Sequence, residues 1–291
     1  MFAERLTEIV EIRVNRPHAI AEAAARRTRP AGITGARGRV MMVAADHPAR
    51  GALRAGARPL AMADRADLLE RLCTALSRPG VNGVLGTADV LEDLLLLGAL
   101  DGRVAIGSMN RGGLAGTVFE IDDRFTGYDA ATIAAMNFDG GKMLLRIDPD
   151  DPATASTLEA CGNAVTALAG HRLVAMVEPF IAHRVDGRIR NDLTPEAMIR
   201  AIAVSSGLGA TSAYTWLKVP VVDSMERVMA AATLPALLLG GEVPANPQTA
   251  FESWHKALQL PTVKGLVVGR SLLYPPDDDV AGAVDTAVNL L

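Results

Sequence analysis

Lysine is nearly missing from this sequence: Lys142, Lys218, Lys256 and Lys264 stand against 25 arginines. Positive charge is thus supplied almost everywhere by a side chain that stays protonated, so each lysine asks for its own reason. Lys142 and Lys218 fall inside the apolar runs KMLLRI and WLKVPV. A buried ammonium there is costly without a partner or a task. Cysteine is as scarce. Cys73 and Cys161 both lie in alanine- and leucine-rich helical segments and read as small buried residues in a reducing compartment, with no structural disulfide expected. A basic stripe is lacking and the net charge is -4, which argues against a nucleic-acid partner. No apolar run reaches the roughly 20 residues that span a bilayer. The opening MFAERLTEIVEIR is charged within four residues and has no signal-peptide hydrophobic region, so a cytoplasmic protein with no membrane partner is expected. Metal ligands are also sparse. The histidines, at 18, 47, 171, 183 and 255, are scattered and only His47 sits at a strand end, so neither a metal nor another cofactor is expected.

What is present is a rhythm. After a helix at the start and the arginine-rich RRTRPAGITGARGR, apolar strand candidates recur at 39 to 46, 81 to 86, 104 to 109, 142 to 147, 173 to 179, 216 to 221, 235 to 241 and 264 to 270. Helical patterns such as ADRADLLERLCTALSRPG, TASTLEACGNAVTALAG, TPEAMIRAIAVSSG and NPQTAFESWHKALQL separate most of them. Strands apolar on both faces and alternating with helices imply a parallel sheet. Eight such units predict an α/β fold of the (β/α)8 TIM-barrel type, with residues 1 to 37 as an N-terminal helical extension and 38 to 291 as the barrel domain. An open doubly wound sheet is the alternative, since periodicity does not reveal closure. The glycine-rich GITGARG precedes a strand, whereas a dinucleotide loop follows one. Residues 110 to 128 predict a long loop or hairpin insertion near the barrel mouth.

Strand parity selects the candidate site. Side chains alternate with period two, so Lys142, Leu144 and Arg146 share a face, as do Val174, Met176 and Glu178, and Trp216, Lys218 and Pro220. If those faces point inward, a lysine, a glutamate and a lysine meet from three consecutive strands, and Asp46 and His47 join them from the end of the first. A neutral lysine amine can attack a ketone or aldehyde and form an iminium, an electron sink for the adjacent carbon-carbon bond. A nearby carboxylate can move the protons. Lys218 as a nucleophile, as a structural ion pair with Glu178, or as a strand end reaching solvent are the three readings that parity allows. A second signal follows the last two strands. Gly240 and Gly241 in LLLGGEVP, and Gly269 and Arg270 in VVGRS, suit a phosphate in the loops where barrel enzymes frequently hold one.

DHPARG at 46 to 51, GGKMLLRID at 140 to 148, VEPF at 177 to 180, TWLKVPV at 215 to 221, LLGG at 238 to 241 and VVGRSL at 267 to 272 carry a resemblance over residues 38 to 275. Together they resemble the DeoC/LacD group of class I aldolases, nearest to the branch with tagatose-1,6-bisphosphate aldolase and sulfofructose-phosphate aldolase. The resemblance implies a TIM barrel that needs no metal, with Lys218 as the Schiff-base lysine, Glu178 as the acid/base carboxylate, Lys142 as the second lysine and Asp46 near the substrate hydroxyls. It also implies phosphate binding by Gly241, Gly269 and Arg270. The expected reaction is retro-aldol cleavage of a phosphorylated ketose or keto-acid to dihydroxyacetone phosphate and an aldehyde. Arg146 is expected to receive a second anionic group, and His47 and Gly240 to line the substrate site. The alternatives are a deoxyribose-phosphate aldolase, a metal-dependent class II aldolase and a non-catalytic phosphosugar-binding barrel. A homo-oligomer is allowed. The arginine-rich extension and the RIDPDD after the fourth strand depart from better-known members and leave the sugar open.

Overall fold

Each apolar run of the sequence becomes a stave of one closed sheet. The structure, a computed structural model, describes residues 2–35, 37–241, 243 and 247–291. Glu242 and Pro244 of the LLLGGEVP run, and Asn246 at the head of the NPQTAFESWHKALQL pattern, lie outside the described residues. Two helices, α1 (Phe2–Asn15) and α2 (Ala19–Arg26), precede the barrel, where one was expected. The chain then runs β1 (Val40–Ala44), α3 (Arg65–Ser77), β2 (Gly83–Gly86), α4 (Ala88–Leu96), β3 (Val104–Ser108) and α5 (Ala130–Ala135). It continues through β4 (Gly140–Ile147), α6 (Ala153–Gly170), β5 (Val174–Val185), β6 (Arg188–Asp192) and α7 (Pro195–Ser206). It closes with β7 (Thr215–Val219), α8 (Met225–Met229), β8 (Ala236–Leu239), α9 (Pro247–Ala257), β9 (Val263–Val268), α10 (Arg270–Leu273) and α11 (Val280–Val288).

Every neighbouring pair among β1 to β5 and β7 to β9 is parallel, and β1 pairs with β9 as well as β2. The circuit is therefore an eight-stranded (β/α)8 barrel, as the alternation predicts. The ninth strand was not expected. β5 runs on past the barrel and turns back antiparallel into β6 through Asp186 and Gly187, both left-handed with φ 50° and 74°. An Asp-Gly pair at positive φ is the favoured two-residue hairpin turn, because its twist matches that of the strands.

The helices start where short polar side chains satisfy their free backbone amides. Asp64 accepts from the amides of Ala66 and Asp67 at the head of α3, and Thr194 from Ala197 at the head of α7, with Pro195 in the first turn. Residues 110 to 128 form an irregular loop with a single antiparallel bridge, Asn110 to Phe125. The Asn110 side chain ties this loop to β4: its Nδ2 donates to the Leu144 carbonyl at 2.6 Å and its Oδ1 accepts from the Leu144 amide at 2.8 Å.

Two apolar layers result. One lies between staves and helices, and the other fills the barrel, where Met42, Leu85, Ile106, Met176, Leu237 and Val267 meet. The extension seals the end of the barrel from which the strands start. Ile33 packs on the inner layer, and Arg27 is buried against Asp139 at 2.7 Å while its Nε donates to the Leu100 carbonyl at 3.1 Å. Asp139 also accepts from the Ala105 amide at 2.9 Å and pairs with Arg29 at 2.9 Å. Cys73 and Cys161 are free thiols, the first half-buried and the second buried. Among the described residues no helix is long and apolar enough to cross a membrane.

Candidate active site

Inward parity holds along the staves and delivers charge where each leaves the apolar layer. Val40, Met42 and Ala44 of β1 face the barrel axis, and Asp46 follows on the same face. Val174 and Met176 lead to Glu178 on β5, and Trp216 leads to Lys218 on β7. Lys142 is the third residue of β4, and its long side chain climbs to the same level. Asp46, Lys142, Glu178 and Lys218 are all buried.

They are in direct contact. Lys218 Nζ donates to Glu178 Oε1 at 3.0 Å, Lys142 pairs with the other oxygen of Glu178, and Lys142 Nζ lies 3.3 Å from Asp46 Oδ2. Burial lowers the proton affinity of both lysines, opposed at Lys218 by the Glu178 charge and reinforced at Lys142 by the Arg111 charge. For Glu178 burial works the other way, but the two lysines outweigh it and hold the carboxyl far below the usual carboxylate range. His47 is pushed well below its ordinary value by burial and then by Arg270 and Lys218, so it is neutral at pH 7.

These groups line a cavity of about 360 Å³ at the end of the barrel where the strands finish. Gly240, Gly241, Gly269 and Arg270 also line it, on the side of β8 and β9. Gly269 cannot be replaced without displacement, since a Cβ there would stand 2.5 Å from the Ala44 carbonyl and 3.0 Å from the His47 ring. Gly241 has φ 65°, a conformation that glycine adopts without strain. The Arg270 guanidinium reaches the Gly241 and Arg54 carbonyls, each at 3.4 Å.

Arg146 reaches the cavity as parity predicts but does not wait there for an anion. Its guanidinium is paired with the Glu120 carboxylate and donates to the Glu120 carbonyl at 2.9 Å. Arg50 behaves alike, paired with Asp123 of the same loop and donating to the Gly113 carbonyl at 2.5 Å. The loop after β3 is thus fastened over the mouth by two buried arginines.

Sequence reasoning missed Arg111, Arg50 and Ser108. Arg111 Nε donates to Ser108 Oγ at 2.9 Å and its Nη2 pairs with Asp46, which also accepts from Ser108 Oγ at 3.1 Å. Ser108 was within reach of the parity argument, because Val104 and Ile106 precede it on the inner face. Arg111 belongs to a loop without period and gave no such signal. The hairpin residues Asn191 and Leu193 line the cavity too, and VDGRIR was the unused sign of their turn. Among the described residues no three histidine, cysteine or carboxylate side chains converge to hold a metal ion.

Comparison with solved structures extends these findings. The crystal structure of Cgl0159 from Corynebacterium glutamicum is similar over 99% of this chain and 96% of its own, with 50% identity and a TM-score of 0.96. A Schiff-base-forming fructose-1,6-bisphosphate aldolase is 18% identical with a TM-score of 0.65, covering 93% of this chain and 99% of that one. An archaeal fructose-1,6-bisphosphate aldolase, solved with its catalytic lysine covalently bound to the carbinolamine intermediate of the substrate, is 17% identical with a TM-score of 0.66, covering 93% and 98%. The likeness to these two aldolases is one of fold. A search of curated proteins gives no match. The Cgl0159-like family model matches residues 38–288, and the chain belongs to that family.

Proposed function

We propose that the protein is a class I aldolase of the DeoC/LacD type that cleaves a phosphorylated ketose or keto-acid through a Schiff base on Lys218. The observation that carries this reading is the Lys218 amine, buried at the floor of the cavity and 3.0 Å from Glu178. An amine disfavoured as an ammonium by burial, beside a carboxylate able to move protons, is the equipment that iminium chemistry requires. The fold shared with aldolases that form a lysine adduct supports the same reading.

The steps follow from the contacts. The Lys218 lone pair attacks the substrate ketone and forms a carbon-nitrogen bond, and the former carbonyl oxygen, protonated in turn, leaves as water. Glu178 lies between the two lysines and is placed to pass those protons. The iminium then draws in the electron pair of the neighbouring carbon-carbon bond as the hydroxyl proton of the departing aldehyde is removed. Protonation of the resulting enamine and attack of water release dihydroxyacetone phosphate and regenerate the amine. Asp46 and Lys142 hold substrate hydroxyls at the opposite wall.

Charge in the cavity suits an anionic substrate. Six basic side chains, Arg50, Arg111, Lys142, Arg146, Lys218 and Arg270, face two carboxylates, Asp46 and Glu178. Gly240, Gly241, Gly269 and Arg270 seat the phosphate, with His47 beside them. A second anion at the other end of the substrate would compete with Glu120 for Arg146. Borohydride added in the presence of candidate ketose phosphates should fix an adduct on the Lys218 peptide, and Lys218→Met should abolish it. Assays for dihydroxyacetone phosphate and for acetaldehyde across a substrate panel decide the substrate. Highest efficiency on 2-deoxyribose 5-phosphate, with release of acetaldehyde, would overturn the substrate class and leave the Schiff base in place.

A further inference from the structure

Arg111, Asp46, Lys142, Glu178 and Lys218 form one buried array of alternating charge. Arg111 pairs with Asp46, Asp46 lies 3.3 Å from Lys142, Lys142 pairs with Glu178, and Glu178 lies 3.0 Å from Lys218. With every member ionised the array holds three positive and two negative charges. An uncompensated buried charge is expensive, and the array can shed it by releasing one proton. Arg111 is the member least able to release it. Burial draws its guanidinium down, but only to about 10, well above neutral pH. Glu178 has no proton to give. The proton must come from a lysine, and Glu178 touches both.

We propose that Arg111 is a positioning residue whose fixed charge holds the Lys142–Glu178–Lys218 group one proton short, leaving one amine neutral at pH 7. Glu178 then passes the remaining proton between the two lysines, so that Lys218 can be the neutral partner when a carbonyl arrives. The proposal rests on the reading of Lys218 as the reacting amine for its purpose, but not for its test.

The surroundings leave this charge count intact. Arg146 and Arg50, from β4 and the turn after β1, are matched by Glu120 and Asp123 of the loop after β3. His47, whose Nδ1 is 3.8 Å from Asp46 Oδ1, is half-buried and neutral. Arg270, on the β9 side, pushes Lys218 in the same direction as Arg111 and ranks behind it. Both lysines respond to Arg111, and at Lys142, one contact nearer, it is the strongest influence after burial itself.

Reductive methylation with formaldehyde and cyanoborohydride labels only neutral amines, so peptide mass analysis against pH reads the proton count at Lys142 and Lys218 without any substrate. In Arg111→Gln, which keeps hydrogen-bonding capacity and removes the charge, summed labelling of the two lysines at pH 7 should fall about tenfold. Arg111→Lys should stay within about twofold of the wild type. Adding Asp46→Asn to Arg111→Gln removes one charge of each sign and should restore labelling. Should Arg111→Gln fail to fold, Asp46→Asn alone carries the test, because the array then has an additional unmatched positive charge and must label at lower pH than the wild type. Wild-type labelling in Arg111→Gln, equal losses in the lysine and glutamine variants, or an unmoved curve in Asp46→Asn would each overturn the proposal. Failure of every ketose phosphate to trap on Lys218 would remove the aldolase reading and leave the labelling result standing.

Discussion

At the scale of single residues, the proposed reaction divides the cavity into groups that would react and groups that would only hold still. Lys218→Met should eliminate covalent trapping. Glu178→Gln should allow slow adduct formation but lower turnover by about 10²- to 10⁴-fold, the usual worth of a positioned proton carrier; single-turnover kinetics with borohydride quenching separates the two steps. His47 makes a prediction about stability. Its folded proton affinity is depressed, so on acidification the unfolded chain takes up its proton first, near pH 6.5. Folding stability therefore falls as pH drops below that value toward the folded one, and His47→Asn should flatten the loss. Urea midpoints at pH 7 and pH 5.5 measure it, in a window above the acid range where Glu178 takes over. The four central residues were legible because alternation along a strand is a local property. Asp46, Lys142, Glu178 and Lys218 each follow apolar or glycine residues of the same parity. Arg111 and Arg50 were not legible, since their place depends on where a loop folds back, which no neighbour in the sequence encodes.

Among the elements, the staves and the long helices were readable from their periods, and most departures fall where period is lost. α5, α8 and α10 span six residues or fewer, too short to show a helical face. The β5–β6 hairpin escaped because its strands leave the barrel and become exposed, so the apolar pattern ends before the structure does. Among the described residues β6 pairs only with β5. Replacing residues 184 to 190 by a shorter turn should accordingly leave the melting temperature almost unchanged while raising KM, since Asn191 and Leu193 lose their support at the cavity wall. The N-terminal extension should behave in the opposite way. Arg27→Ala strands the Asp139 carboxylate in the interior and leaves it to the half-exposed Arg29. A cost of about 3 to 5 kcal/mol is expected, with little change in the KM of the enzyme that stays folded. Denaturant titration and steady-state kinetics on the same samples check both halves.

For the molecule as a whole, a net charge of -4 surrounds a cavity in which cationic side chains outnumber carboxylates. A concave low-dielectric wall focuses that local potential on an incoming anion. Raising ionic strength from about 0.05 M to about 0.5 M, which shortens the screening length severalfold, should lower kcat/KM for the proposed phosphorylated substrate more than kcat. Closure has a consequence of another kind. The first stave hydrogen-bonds to the last, Val40 to Gly265 and Met42 to Val267, so the circuit is completed only by the last of its staves to be synthesised. Until β9 emerges from the ribosome, β1 presents an open row of amides and carbonyls, and so does whichever strand was made most recently. Such rows are templates for pairing with another nascent chain. A chain ending before residue 262 should therefore accumulate as aggregate or as strand-exchanged multimers in place of a smaller folded unit, and size-exclusion profiles of the truncated product will show which.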